Sequence, residues 1–153
     1  QFNFYEQNHP IYNYPDILPM SKFKESKLIE TNFASGCMIG DSDFKRCVLG
    51  VRSIIADGCR FENVVMMGAD NYEVTDSTKI PVGVGANTKI ENAIIDKNAR
   101  IGKNVQLSPN GVEDGWSDAG ENIYVRDGVI IVIKNAIVPD GTKIGDLQMS
   151  VAK

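Results

Sequence analysis

The stretch from Ala93 to Leu107 constrains the fold more than any other. A small residue or Val is followed two places later by a large aliphatic, at Ala93/Ile95, Ala99/Ile101 and Val105/Leu107, and the pair recurs about six residues on. Alternation of period two puts both members of a pair on one face of a strand. A repeat of six leaves room for a very short strand and then a turn. An amphipathic helix is excluded, because it would show spacings of three and four.

The same doublet runs upstream as Thr31/Phe33, Cys37/Ile39, Ser42/Phe44, Cys47/Leu49, Ser53/Ile55 and Cys59/Phe61, with steps of six, five, five, six and six between the large residues. Downstream it returns as Val82/Val84 and Thr88/Ile90, and finishes as Ile130/Val132, Ala136/Val138 and Thr142/Ile144. Short sides that turn and repeat stack into a coil whose interior the doublets fill. Three sides per turn predict a parallel β-helix of about four to five coils over residues 23–153. Similarity to known hexapeptide-repeat proteins implies a left-handed helix, against the usual right-handed crossover rule. Gly36, Gly40, Gly50 and Gly58 fall near corners, where a positive φ is expected. Gly83-Val84-Gly85 is read as corner glycines, since no Gly-Lys-Ser/Thr and no long helix follow to make a phosphate loop.

Two polar stretches interrupt the repeat and are expected to leave the coil as loops, 68–81 and 108–122. The second is acidic and holds Trp116, expected to pack the loop onto the coil or a neighbour. Ile123/Val125 after it either forms an extra side or belongs to the loop. Residues 1–22, with His9-Pro10-Ile11-Tyr12-Asn13-Tyr14-Pro15, read as a linker over a surface. The chain starts at Gln1, and a preceding domain is expected. The tail from Asp146 carries little signal and is expected to fray.

Composition excludes several classes. A net charge of −4 with 24% charged residues is not that of a nucleic-acid binder. The longest apolar run, Val129 to Ile133, is strand-sized and cannot cross a bilayer. Cys37, Cys47 and Cys59 form no CxxC pair, and the one histidine, His9, lies outside the coil, so no zinc set is expected. The cysteines fit the small slot of the doublet as buried hydrophobes, and reduced thiols suggest an intracellular compartment.

One pair of charged residues stands out. Lys97 lies two places after Ile95, and Lys134 two places after Val132. If 108–122 bulges without adding a side, both fall at one corner of neighbouring coils, about 4.8 Å apart. Such ammonium groups repel by roughly 1 kcal/mol in water, and a phosphate between them would reverse the sign. The spacing alone favours two solvated corner lysines whose stems splay apart.

Several segments together resemble a known family along essentially the whole chain. They are Pro10-Ile11-Tyr12 with Leu18-Pro19-Met20-Ser21-Lys22, Val48 to Ser53, Met67-Gly68-Ala69-Asp70-Asn71-Tyr72-Glu73, Ala93 to Gly102, and Val132 to Thr142. They resemble the C-terminal domain of glucose-1-phosphate adenylyltransferase, also called ADP-glucose pyrophosphorylase, closest to the plant and cyanobacterial type. The resemblance implies a nucleotidyltransferase that makes ADP-glucose and pyrophosphate from ATP and glucose 1-phosphate for glycogen or starch. The chemistry and its Mg2+ would belong to an N-terminal catalytic domain, whose glycine-rich loop and metal carboxylates are not in this sequence. The fragment would hold no cofactor, catalyse nothing alone, and serve allosteric regulation and assembly. Implied partners are its own catalytic domain, further copies in a homotetramer and a phosphorylated metabolite, with no nucleic acid and no membrane. The implied location is the cytoplasm, or the plastid for a plant or algal source. Lysines matching Lys97 and Lys134 would bind the activating metabolite. Tyr14-Pro15-Asp16 lacks a basic residue that plant-type members often carry nearby. The rival classes are a hexapeptide-repeat acyltransferase, which needs a histidine base at the coil where none follows His9, and a plain assembly module.

Overall fold

In the computed structural model, residues 6, 8–9, 17–73 and 79–149 are described. The Pro10-Ile11-Tyr12 and Tyr14-Pro15-Asp16 segments, the centre of the first loop and the last residues of the tail lie outside them. Of the 1–22 linker, His9 is described: it is exposed, with Nδ1 3.3 Å from Glu6 Oε1.

The doublets build three flat walls. Wall one stacks Lys22–Phe23, Met38–Ile39, Ile54–Ile55, Gly83–Val84, Arg100–Ile101 and Ile137–Val138, all parallel. Wall two stacks Lys27–Ile29, Asp43–Lys45, 60–62, 89–91, Gln106–Leu107 and Lys143–Ile144. Wall three stacks Asn32–Phe33, Val48–Leu49, 64–66, 93–95 and Val129–Val132. Strands Arg60–Met66 and Lys89–Ile95 each bend through a corner from wall two to wall three, at Asn63 and Asn92 with φ of 56° and 48°. Among the described residues the result is a parallel β-helix of five full turns and two sides of a sixth, just above the expected four to five. The sides beyond the expected doublets are Val64/Met66 and the opening sides around Phe23 and Leu28.

The interior follows the doublet pattern. Ile39, Phe44, Leu49, Ile55, Phe61, Met66, Ile90, Ile95, Ile101, Leu107, Val132 and Val138 are all buried in one core. Phe23, Phe33, Phe44 and Phe61 meet edge to face, with successive centroids 4.8, 6.0 and 5.4 Å apart. That geometry matches the positive edge of one ring to the negative face of the next. Small slots that hold Ser or Thr knit coils together. Ser42 Oγ donates to Ala56 O (3.0 Å) and accepts from Cys59 N–H (2.9 Å), and Thr88 Oγ1 donates to Gly102 O (2.9 Å). The three cysteines are free and buried. Burial pushes the Cys47 and Cys59 thiols up, away from the reactive thiolate.

Corner glycines divide into two kinds. Gly36 and Gly58 take the expected positive φ, 76° and 77°. Gly40 and Gly50 do not. A Cβ on Gly40 would sit 2.6 Å from Asp57 N, and one on Gly50 2.3 Å from Met67 O, so close approach of the next coil excludes a side chain there. Gly83 is not at a corner: it lies within wall one, paired with Arg100.

The 108–122 loop returns through a hairpin that the doublet reading could not resolve. Ile123–Arg126 runs antiparallel to Val129–Val132 and takes the sixth place in wall three with its direction reversed. Asp127-Gly128 makes the turn with φ of 49° and 71°, the Asp-Gly signature of a two-residue hairpin. Trp116 packs against the core as expected. The tail is docked, not frayed, as far as Gln148. Its backbone N–H donates to Glu91 Oε1 (3.0 Å), a buried carboxylate that also accepts from Ser108 Oγ and Asn110 Nδ2, each at 2.6 Å.

Candidate functional site

Wall three decides where the two lysines go. Ile95 pairs with Val132 in adjacent coils, so Lys97 and Lys134, each two residues on, reach the same corner. The hairpin leaves that register intact because it adds its strand beyond Val129–Val132 rather than between the coils. Asn135 N–H donates to Lys97 O (3.0 Å), and Asn98 N–H donates to Gly68 O (3.0 Å), so three successive coils stack here through their backbones.

A third charge occupies the corner. Lys97 Nζ donates to Asp70 Oδ1 at 3.0 Å, and Lys134 Nζ lies 3.5 Å from Asp70 Oδ2. Asn98 Nδ2 donates to Asp70 Oδ2 at 2.9 Å, while the Asp70 backbone N–H donates to Asn98 Oδ1 at 2.8 Å. One carboxylate thus bridges two ammonium groups, and the triad carries a formal charge of +1. The Lys97, Lys134 and Asp70 side chains are 43%, 53% and 40% exposed, so the cluster is open to solutes.

The start of the first loop is held down around it. Tyr72 Oη donates to Gly36 O (2.8 Å), and the Arg52 guanidinium sits 5.9 Å from the Tyr72 ring centroid. Glu73 accepts from Arg100 Nη1 (2.8 Å) and from Val82 N–H (3.1 Å), clasping the two ends of the loop. These bonds hold the Glu73 carboxyl below the usual range, with the Arg100 contact as the largest cause.

Asp70 belongs to a segment that carries the family resemblance, but the sequence pattern assigned it no place at the site. It lies 27 residues before Lys97, across a loop that breaks the period. The signal was the unread Val64/Met66 side: Gly68 lies two places after Met66, as Lys97 does after Ile95, and so marks the same corner one coil earlier.

The hydrogen bond from Asn98, then that from Lys97 with both lysine charges, hold the Asp70 carboxyl at about 2. The fold favours the ionised form, so this contact contributes its full stability above the ordinary carboxylate value. That contribution is lost as pH falls through about 2. The side-chain carbonyl carbon of Asp70, followed by NMR, is expected to titrate near 2, and in the Lys97→Ala, Lys134→Ala double variant to titrate higher. A midpoint near 4 in the unaltered protein would mean that the bridge does not form in solution.

Among the described residues, no group of three or more His, Cys, Asp or Glu is placed to hold a metal ion. No helix among them is long and apolar enough to cross a membrane.

Comparison with known proteins gives two findings. A family model described as the GLGC left-handed parallel β-helix domain matches residues 16–143, and it supplies the left hand of the coil. The chain is 37% identical over 152 residues to glucose-1-phosphate adenylyltransferase large subunit 1, chloroplastic/amyloplastic, of Zea mays. That alignment covers 94% of this chain and 29% of the maize protein, so the chain spans less than a third of that relative's length.

Proposed function

The chain belongs to the GLGC left-handed parallel β-helix domain family, and from that premise we propose that it is the regulatory and assembly domain of a glucose-1-phosphate adenylyltransferase. The reaction of such an enzyme, ATP and glucose 1-phosphate to ADP-glucose and pyrophosphate, is assigned to a nucleotidyltransferase domain on the N-terminal side of the 1–22 linker, and its Mg2+ to that domain as well. The part of this chain is to bind a phosphorylated metabolite at the corner of Lys97 and Lys134 and to pass that occupancy to the catalytic domain through the walls of the coil. Residues 1–22 serve as the connection, and assembly with further subunits as a tetramer completes the proposal. The maize relative is named as a chloroplastic or amyloplastic subunit, which favours a plastid for this protein if its source is a plant or alga.

The observation that carries this reading is the meeting of the two lysines. Residues 37 apart in sequence (134 minus 97) share one oxygen-bearing group at an exposed corner. Lysine recognises phosphate as a point charge with rotatable donors. A hydrogen bond to a charged group is worth about 1.5–3 kcal/mol, which corresponds to a loss of roughly ten- to a hundredfold in affinity when it is removed.

In the full-length enzyme, Lys97→Ala and Lys134→Ala are each expected to raise the half-activating concentration of 3-phosphoglycerate, or of fructose 1,6-bisphosphate, by at least about tenfold. Activation curves unchanged in both variants would remove the anion site and leave a plain assembly module.

A further inference from the structure

We propose that Asp70 is a built-in competitor for the anion seat between Lys97 and Lys134, and that it makes the seat selective for ligands carrying more negative charge than a carboxylate. This rests on the reading of the lysine corner as an effector site and adds the residue that guards it.

The geometry supports it at each step. The Asp70 carboxylate accepts from Lys97 Nζ and Asn98 Nδ2 and is ion-paired with Lys134 Nζ at 3.5 Å, and these are the three side-chain groups an incoming phosphate would use. The other acid of this corner, Asp96, is turned to the backbone N–H of Lys97 at 2.6 Å.

Asp70 is also free to leave. Its side chain is 40% exposed. Its backbone is held independently, by its own N–H on Asn98 Oδ1 and by the Ala69 N–H on Val51 O. Tyr72 and Glu73 anchor the following residues to Gly36 and Arg100. Rotation about the side-chain torsions of Asp70 therefore uncovers all three donors without moving the loop.

Selectivity follows from tethering. An attached carboxylate competes at an effective concentration far above that of a free one, so a free monocarboxylate gains nothing by replacing it. A phosphate monoester above its second ionisation carries close to two charges and three acceptor oxygens. It therefore gains charge as well as matching the three donors.

The test uses the full-length enzyme with 3-phosphoglycerate and its dephosphorylated counterpart, glycerate, as probes. Asp70→Asn keeps the shape of the side chain and an acceptor for Asn98 but removes the charge. It is expected to lower the half-activating concentration of 3-phosphoglycerate about tenfold. Glycerate is expected not to compete in the unaltered enzyme and to compete measurably in this variant. Asp70→Ser is the second variant, should the first melt at a lower temperature than the parent, and the same shift is expected of it.

An unchanged or higher half-activating concentration in the Asp70 variants, alongside lost activation in Lys97→Ala and Lys134→Ala, would overturn the role of Asp70 and leave the effector site standing. If the lysine variants also activate normally, the effector site and the guard residue fall together.

Discussion

Replacing Phe61 by alanine is expected to cost about 3–5 kcal/mol of folding stability, the range for removing a large ring from a closed core. Phe61 is 1% exposed and stands at the middle of wall two. Its ring meets Phe44 edge to face at 5.4 Å, and its backbone pairs with Phe44 on one side and Ile90 on the other. Alanine would leave a cavity between the third coil and its neighbours. In a stacked coil, stability is a sum of turns and the interfaces between them, so a weak central turn loosens both halves. Urea denaturation followed by circular dichroism measures the loss. Val65, which faces outward on the adjoining wall at 41% exposed, is the control: Val65→Ala is expected to change stability by about 0.5 kcal/mol or less. Equal costs at the two positions would mean that the doublets do not point inward.

Gly68→Ala is expected to cost roughly 2–4 kcal/mol and to disturb the lysine corner as well. Two causes act together. Its φ is +84°, which an L side chain rarely takes, and a Cβ would sit 2.0 Å from the Val51 carbonyl oxygen. That neighbour is backbone of the previous coil, so the corner must move. Gly68 O accepts the Asn98 N–H at 3.0 Å, and Asn98 positions Asp70, so the movement reaches the three donors. Gly141 separates the causes: its φ is +72°, with nothing within 4 Å of a Cβ. Gly141→Ala is expected to cost only the conformational part, about 1 kcal/mol. The full-length Gly68→Ala enzyme should also need more activator than Gly141→Ala. Identical stability and activation in the two variants would refute the overlap argument.

How much of this was readable beforehand depended on whether the signal was local. Doublets such as Ala99/Ile101 and Val105/Leu107 report directly on a wall, because strand geometry fixes which neighbour shares a face. The loops were readable by contrast with that period. The hairpin was written in the sequence as Asp127-Gly128 between alternating apolar residues, but its antiparallel run looks like one more doublet until its direction is known. Gly40 and Gly50 read as corner residues, yet the reason they must be glycine lies in the Asp57 and Met67 backbones of the next coil. The docked tail was invisible for a similar reason, since Gln148 finds Glu91 across the end of the stack.

The sequence by itself determined the coil and its three-sided interior, and it made the meeting of Lys97 with Lys134 conditional on whether the 108–122 loop adds a side. A period repeated along the chain accumulates into a register, and two residues at equal offsets from doublets on the same wall share a corner; wall three, through the Ile95–Val132 pairing, supplied that condition for the lysines. Only the tertiary structure decided what lies between those lysines. Asp70 arrives from a loop whose length obeys no period, and its place is set by backbone bonds to Val51 and Asn98 together with the grip of Tyr72 and Glu73. Electrostatics at that corner depends on distances of about 3 Å, and such distances are settled by how coils stack and loops return, not by spacing along one strand.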